Sequence, residues 1–134
     1  EETCQEPRLL TTDPIARARV RGISNIIACD IHPLNNLAVL KFLSKEMQQD
    51  KQQVNVQWYH HWIKEGLKSV EEHLANDKDT GRFAHGEQPT LADVCIVPQI
   101  FNAQRYDCDL SPYPVLMGVF ERAMLLPSFE QAQP

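Results

Sequence analysis

Between Gln88 and Tyr113 the chain reads QPTLADVCIVPQIFNAQRYDCDLSPY, and this stretch limits the fold more than any other. Thr90-Leu91-Ala92-Asp93 has the spacing of a capping box, in which the first and fourth side chains satisfy backbone N–H groups that a helix start leaves unpaired. Glu or Gln usually fills the fourth place. Asp reaches less far, but its charge suits the positive end of a helix. Capping accounts for Asp93 without any acid–base role, and its loss should cost about 0.5–2 kcal/mol. Behind this start come Val94, Ile96, Val97, Ile100 and Phe101, apolar nearly all round, the pattern of a central helix buried on most sides. Pro98 is expected to break that helix, and Ser111-Pro112 to open another.

The remainder repeats the same grammar. Asp13-Pro14 pairs an N-cap with a proline at the first helical position, and Ala16, Val20, Ile23 and Ile27 follow at helical spacing, with Arg17 and Arg21 on another face. Pro33 should push His32 away from helical angles and put a break or kink there. Leu34, Leu37, Leu40 and the Phe42–Leu43 pair resume an apolar stripe, and EMQQDKQQ after it suits a solvated helix face or a loop. In WYHHWIKEGLKSVEEHL, Trp58, Trp62, Leu67, Val70 and Leu74 fit one face, with Lys64, Lys68, Glu71 and Glu72 mostly on the other. Asn76 to Gly86 carries turn-forming residues, so the chain reverses there. Val115, Val119, Phe120 and Leu126 stripe the last long helix, which Pro127 ends, with a short Ser128-Phe129 helix beyond. Period-two alternation is almost absent, so the fold is expected to be all-α.

With 134 residues, 43% of them hydrophobic and 23% charged, the chain suits one compact domain rather than a disordered segment. No apolar run approaches the ~20 residues of a membrane helix, and no signal-peptide pattern opens the chain. The net charge of −5 argues against a nucleic-acid partner. Cys4, Cys29, Cys95 and Cys108 form no CxxC pair and no zinc-ligand spacing; structural thiols in a reducing cytoplasm are expected. His60 and His61 point about 100° apart on a helix, and Cys29 with His32 lacks a second ligand pair, so no metal site is expected. EETCQEPRLL reads as a helix end running into a loop, and a further segment is expected before Glu1.

Two places could carry chemistry. In IHPLNNLAVL, the polar corner of His32, Asn35 and Asn36 reads either as helix punctuation or as the lining of a pocket at a kink. Arg105 in FNAQRY either complements the C-terminal end of its helix or faces a bound anion. Arg17, Arg19 and Arg21 read as a solvated surface or a domain contact.

IHPLNNL, the Thr90–Asp93 box and NAQRY together resemble the C-terminal helical domain of zeta-class glutathione transferases, over nearly the whole chain. That resemblance implies a bundle of about five helices over residues 13–134, preceded in residues 1–12 by the end of a first domain and a linker. It implies that His32, Asn36, Leu37 and Ala38 contact glutathione or a partner subunit, although relatives often carry glutamine where His32 stands. It gives Arg105 a substrate carboxylate to hold, and Thr90 and Asp93 a structural cap. In the family the sulfur-activating Ser-Ser-Cys motif belongs to a thioredoxin-like domain; this chain shows neither that motif nor a strand pattern, so no catalytic residue is expected in it. The activity implied is glutathione-dependent cis–trans isomerisation of maleylacetoacetate in tyrosine breakdown, by a cytoplasmic homodimer. Zeta-like transfer to other electrophiles such as α-halo acids, or a free-standing helical interaction domain, are the alternatives.

Overall fold

The computed structural model describes residues 6–132; Cys4 and most of EETCQEPRLL's acidic start lie outside the described residues, as do the last two positions. Among the described residues there are helices and loops and no strand, and the chain is all-α.

Asp13 caps α1 (Pro14–Asn25), its Oδ2 accepting from the Ala16 N–H at 2.7 Å. The helix does not break at His32. It passes through a π-type segment, Ile26–Ile31, into α2 (His32–Asn35), and His32 keeps helical angles, φ −60° and ψ −39°. The His32 N–H reaches back to Ile27 O, a wide turn that gives the following proline ring room beside carbonyls it would otherwise strike. The break falls instead at Asn36, extended at φ −72° and ψ 157°. Asn36 Oδ1 then caps α3 (Leu37–Lys41), accepting from Ala38 N at 2.9 Å and Val39 N at 3.1 Å, while its Nδ2 donates to Pro33 O at 2.6 Å. A second π segment, Phe42–Glu46, ends this run.

By length and composition alone, Pro14–Glu46 would suffice to cross a membrane, with a window of mean hydropathy 1.3, which corrects the sequence reading. Val20, Ile23, Ile27 and Ile31 nevertheless lie buried against other helices of the bundle.

The EMQQDKQQ stretch divides. Gln48 takes a positive φ of 52° in a loop, and Asp50 caps α4 (Lys51–Gln53) through Gln53 N at 3.0 Å. A π segment, Val54–Tyr59, leads into α5 (His60–Ala75). The buried face is Tyr59, Ile63, Leu67, Val70 and Leu74. Trp58 and Trp62 stand at its margin, because Trp62 lies five residues before Leu67 and so falls out of phase, where Ile63 is in phase. Trp58 Nε1 donates to Leu34 O at 2.8 Å, tying the two runs together. Gly66 sits where α5 crosses Ile31, and a Cβ there would overlap that side chain. Glu71 is also not on a solvent face: its carboxylate accepts from Val115 N at 3.0 Å and Leu116 N at 2.8 Å.

The chain reverses over residues 76–90, where Gly86 adopts φ +70°. Then α6 (Leu91–Arg105) runs unbroken through Pro98, held from the opposite side by buried Ile96, Ile100 and Ala103. Ser111-Pro112 forms a turn, and α7 (Pro114–Met124) begins at the next proline. Pro127 opens α8 (Pro127–Glu130). α1 and α7 pack on α6, and α5 packs on α7 and on the segment Ile26–Ile31.

Candidate functional site

The bend at Asn36, Tyr59 at the end of the π segment before α5, and the C-terminal half of α6 enclose a cavity of about 380 Å³. It unites five of the residues singled out in the sequence, namely His32, Asn35, Asn36, Leu37 and Arg105, from opposite halves of the sequence. Ala38 is exposed and outside this lining. Tyr59, Gln99, Asn102 and Tyr106 complete it, and none of these four was assigned a role from the sequence alone. Gln99, a polar residue inside the apolar run from Val94 to Phe101, carried a readable signal, and it is only 4% exposed.

The groups around this cavity are of two kinds. Asn36 is committed to capping, so its side chain shapes the backbone of Leu37 and Ala38 more than it reaches outward. The Arg105 side chain, by contrast, is exposed and makes no hydrogen bond or ion pair with any described residue. Asn35 is 9% exposed, and neither its Nδ2 nor its Oδ1 has a partner.

Two further residues set the chemistry of the wall. Tyr59 stacks on Tyr106 with ring centroids 4.0 Å apart. Burial, then the neighbouring Cys108 and Tyr106, push the Tyr59 phenol well above its ordinary value. Burial, reinforced by Asp107, pushes the Cys108 thiol up to about 11. Neither offers a nucleophile or base near neutral pH. His60 Nε2 lies 2.6 Å from Tyr106 O; a carbonyl only accepts, so that nitrogen carries the hydrogen and fixes the end of α6. Hydrogen-bonding groups and a cation that no described residue pairs, rather than an activated nucleophile, characterise the cavity.

Arg105 and Asn102 also line a larger groove, about 1370 Å³, along the outer side of α6. Its floor is apolar, built from Val94, Val97, Pro98 and Phe101 of α6 with Phe120 and Met124 of α7. The predicted all-round burial of α6 is therefore incomplete: Val94 is 40% exposed here. The segment around Leu9, whose carbonyl accepts from Leu91 N at 2.8 Å, forms one bank.

At the other end of α6 the polar groups serve structure. Asp93 is fully buried and accepts from Thr90 N at 2.7 Å, Thr90 Oγ1 at 2.9 Å and Ala84 N at 2.8 Å. Arg19 was read as part of a surface cluster, but it clamps the same loop. It donates to Asp77 at 2.6 Å, Thr80 Oγ1 at 2.7 Å and Ala84 O at 2.7 Å, and its guanidinium lies 3.3 Å from His85 Nδ1. Among the described residues no three His, Cys, Asp or Glu side chains converge as a metal site would require.

An all-helical bundle with a polar cavity beside a bend and an apolar groove along its central helix defines a recognisable class. Residues 36–127 match the family described as glutathione S-transferase, C-terminal domain, and the chain belongs to that family. It is 41% identical over 134 residues to the maleylacetoacetate isomerase of Pseudomonas aeruginosa, covering all of this chain and 60% of that protein. It superposes with a TM-score of 0.95 on the holo structure of a maleyl pyruvate isomerase, a bacterial zeta-class glutathione S-transferase, at 40% identity over 100% of this chain and 65% of that one. Maleylacetoacetate isomerase of Anaeromyxobacter dehalogenans, solved with dicarboxyethyl glutathione and citrate in its active site, gives a TM-score of 0.91 at 37% identity, over 100% of this chain and 58% of that one. The chain thus spans about three fifths of the length of the curated relatives it matches.

Proposed function

We propose that the protein carrying this chain is a glutathione-dependent isomerase of cis-maleyl keto acids, maleylacetoacetate foremost, and that this chain supplies the wall of its acidic-substrate pocket. One observation carries the reading: the guanidinium of Arg105, without a partner among the described residues, shares a cavity with His32, Asn36 and Leu37. Imidazole, amide and guanidinium groups are the donors that a tripeptide with two carboxylates and an acidic guest call for, so the residues fit glutathione. His32, Leu37 and Ala38 would hold it, with Asn36 fixing the backbone between them. When bound, glutathione supplies the thiol that adds reversibly to the maleyl double bond.

The chain's own part is orientation and electrostatics. Arg105 pairs bidentately with a guest carboxylate and fixes where the double bond lies. The stacked Tyr59 and Tyr106 rings keep water from that side, and Tyr59 stays neutral. Activation of the sulfur is assigned to a thioredoxin-like domain beyond these residues, seated on the apolar groove along α6. The greater length of the relatives supports this. A homodimeric, cytoplasmic enzyme of tyrosine breakdown completes the reading; Leu37, Phe42, Met47 and Val56, all more than half exposed, are the apolar surface available for pairing.

The test is an isomerase assay of the full coding region that includes this chain. Arg105→Ala is expected to lower kcat/KM roughly 100-fold, the scale of a lost charge-assisted pair. A loss under about threefold, too small for a lost carboxylate clamp, removes Arg105 from the site and the reading with it.

A further inference from the structure

Asn35 is the one side chain among the described residues whose polar atoms are buried and unpartnered. It ends α2, lines the cavity that also holds His32 and Arg105, and is more than nine-tenths buried. A buried amide with neither atom paired is disfavoured relative to an apolar residue of the same shape, such as leucine. The local backbone does not call for it, since Asn36 alone caps α3 and closes onto Pro33 O. A cost with no structural return is the mark of a group shaped for a ligand.

We propose that Asn35 is a specificity-determining residue, its amide pairing with a guest edge that offers a hydrogen-bond acceptor and a donor side by side, as the enol form of a β-dicarbonyl does. The inference rests on the isomerase reading and names the part of the guest that the reading leaves unassigned. A carboxylate presents acceptors only, and Arg105 serves it. In an enolised β-diketo acid, the ketone oxygen accepts from Nδ2 and the enol hydroxyl donates to Oδ1, which satisfies both orphaned atoms at once. No bond or proton changes hands in this contact. An extended peptide residue offers a similar edge, so the central residue of glutathione is the other possible source of this chemistry. Position favours the guest. Leu37, one of the glutathione contacts that the family resemblance implies, is 63% exposed and Ala38 is exposed, whereas Asn35 is buried.

The probes are two competitive inhibitors of the full-length enzyme: acetylpyruvate, an enolisable β-diketo acid, and malonate, a plain dicarboxylate. Asn35→Leu should raise the inhibition constant of acetylpyruvate about tenfold and leave that of malonate within about twofold. KM for glutathione should not move, and Tm should stay level or rise, because the substitution removes unpaired polar atoms. Asn35→Ala removes the amide without adding bulk or charge, and should show the same selective loss if the leucine variant folds poorly. Equal changes for both inhibitors, or none, overturn the proposal. A rise confined to KM for glutathione assigns the amide to the tripeptide and also overturns it, as does a fall in Tm in both variants. An active wild type that responds to Arg105→Ala but not to either Asn35 variant removes Asn35 alone. A wild type that isomerises nothing removes the isomerase reading and this inference together.

Discussion

The two ends of α6 carry polar clusters of opposite kinds. At the N-terminal end, Asp93 takes three hydrogen bonds and Arg19 gives at least three, with Ala84 bridged between them by its N–H and its carbonyl. At the C-terminal end, Arg105 has no partner among the described residues and the Asn35 amide is orphaned beside it. Each cluster places an arginine beside a polar residue near one end of α6: Arg19 near Asp93 at the start, Arg105 near Asn35 at the end. The difference teaches which one the fold uses and which one it holds for something else: satisfied groups lower the free energy of the native state, and unsatisfied buried ones raise it unless a ligand completes them.

Substitution of Asp93 tests the paired end hardest. Its loss strands the buried N–H groups of Ala84 and Thr90, so Asp93→Ala should cost about 4 kcal/mol, above the range of a simple cap. In thermal melts that is a fall of more than about 10 °C. A fall of only a few degrees would mean that the Ala84 bond adds nothing to the cap. Arg19→Met comes next, at about 2 kcal/mol, because it strips several acceptors of one donor group whose side chain is 13% exposed. An unchanged melt would return Arg19 to the surface cluster suggested by its sequence neighbours.

A smaller effect is expected in acid. The backbone N–H of Asp79, and then Arg19, hold the Asp77 carboxyl below its ordinary range. A depressed carboxyl contributes stability above its unfolded value and loses that contribution as pH falls through the folded one. The stability gap between wild type and Asp77→Asn should therefore be present at neutral pH and close below about pH 4. A gap that persists at lower pH would show that the bond to Arg19 does not depend on the charge. The smallest change belongs to the unpaired end: Arg105→Ala should leave Tm within about 1 °C while activity collapses. A large fall in Tm would place Arg105 among the groups that hold the fold and erase the contrast between the two ends.

Much of the fold was legible because its signals are short-range. Asp13 caps a helix three residues away, Asn36 punctuates one at two or three, and Thr90 and Asp93 cap α6 within one turn. Prolines misled wherever neighbouring packing overrode them. Pro98 sits inside an unbroken helix, and a π turn carries the first helix past Pro33 to break at Asn36 instead. Tryptophan likewise drew attention from the in-phase Ile63, which lies deeper. Of the cavity, His32, Asn36, Leu37 and Arg105 were picked out in the sequence, largely through family resemblance. Asn35 stood beside them as part of a polar corner that could punctuate a helix or line a pocket; the meeting of these residues with Arg105, and the company of Tyr59 and Gln99, was not readable there.

The sequence by itself determined that the chain is helical, where α1 and α6 begin, and which family it joins. Periodicity and capping act over three or four residues and leave their mark in local order. Tertiary structure decided what each polar residue is for. Arg19 meets partners 58 to 66 positions away, and Glu71 caps a helix 44 positions on, because helices packed across the bundle bring them together. Asn35 and Asn36 are adjacent and chemically identical, yet one is fully engaged and the other bare. Only the direction in which the bend turns each side chain, set by what packs around it, distinguishes them.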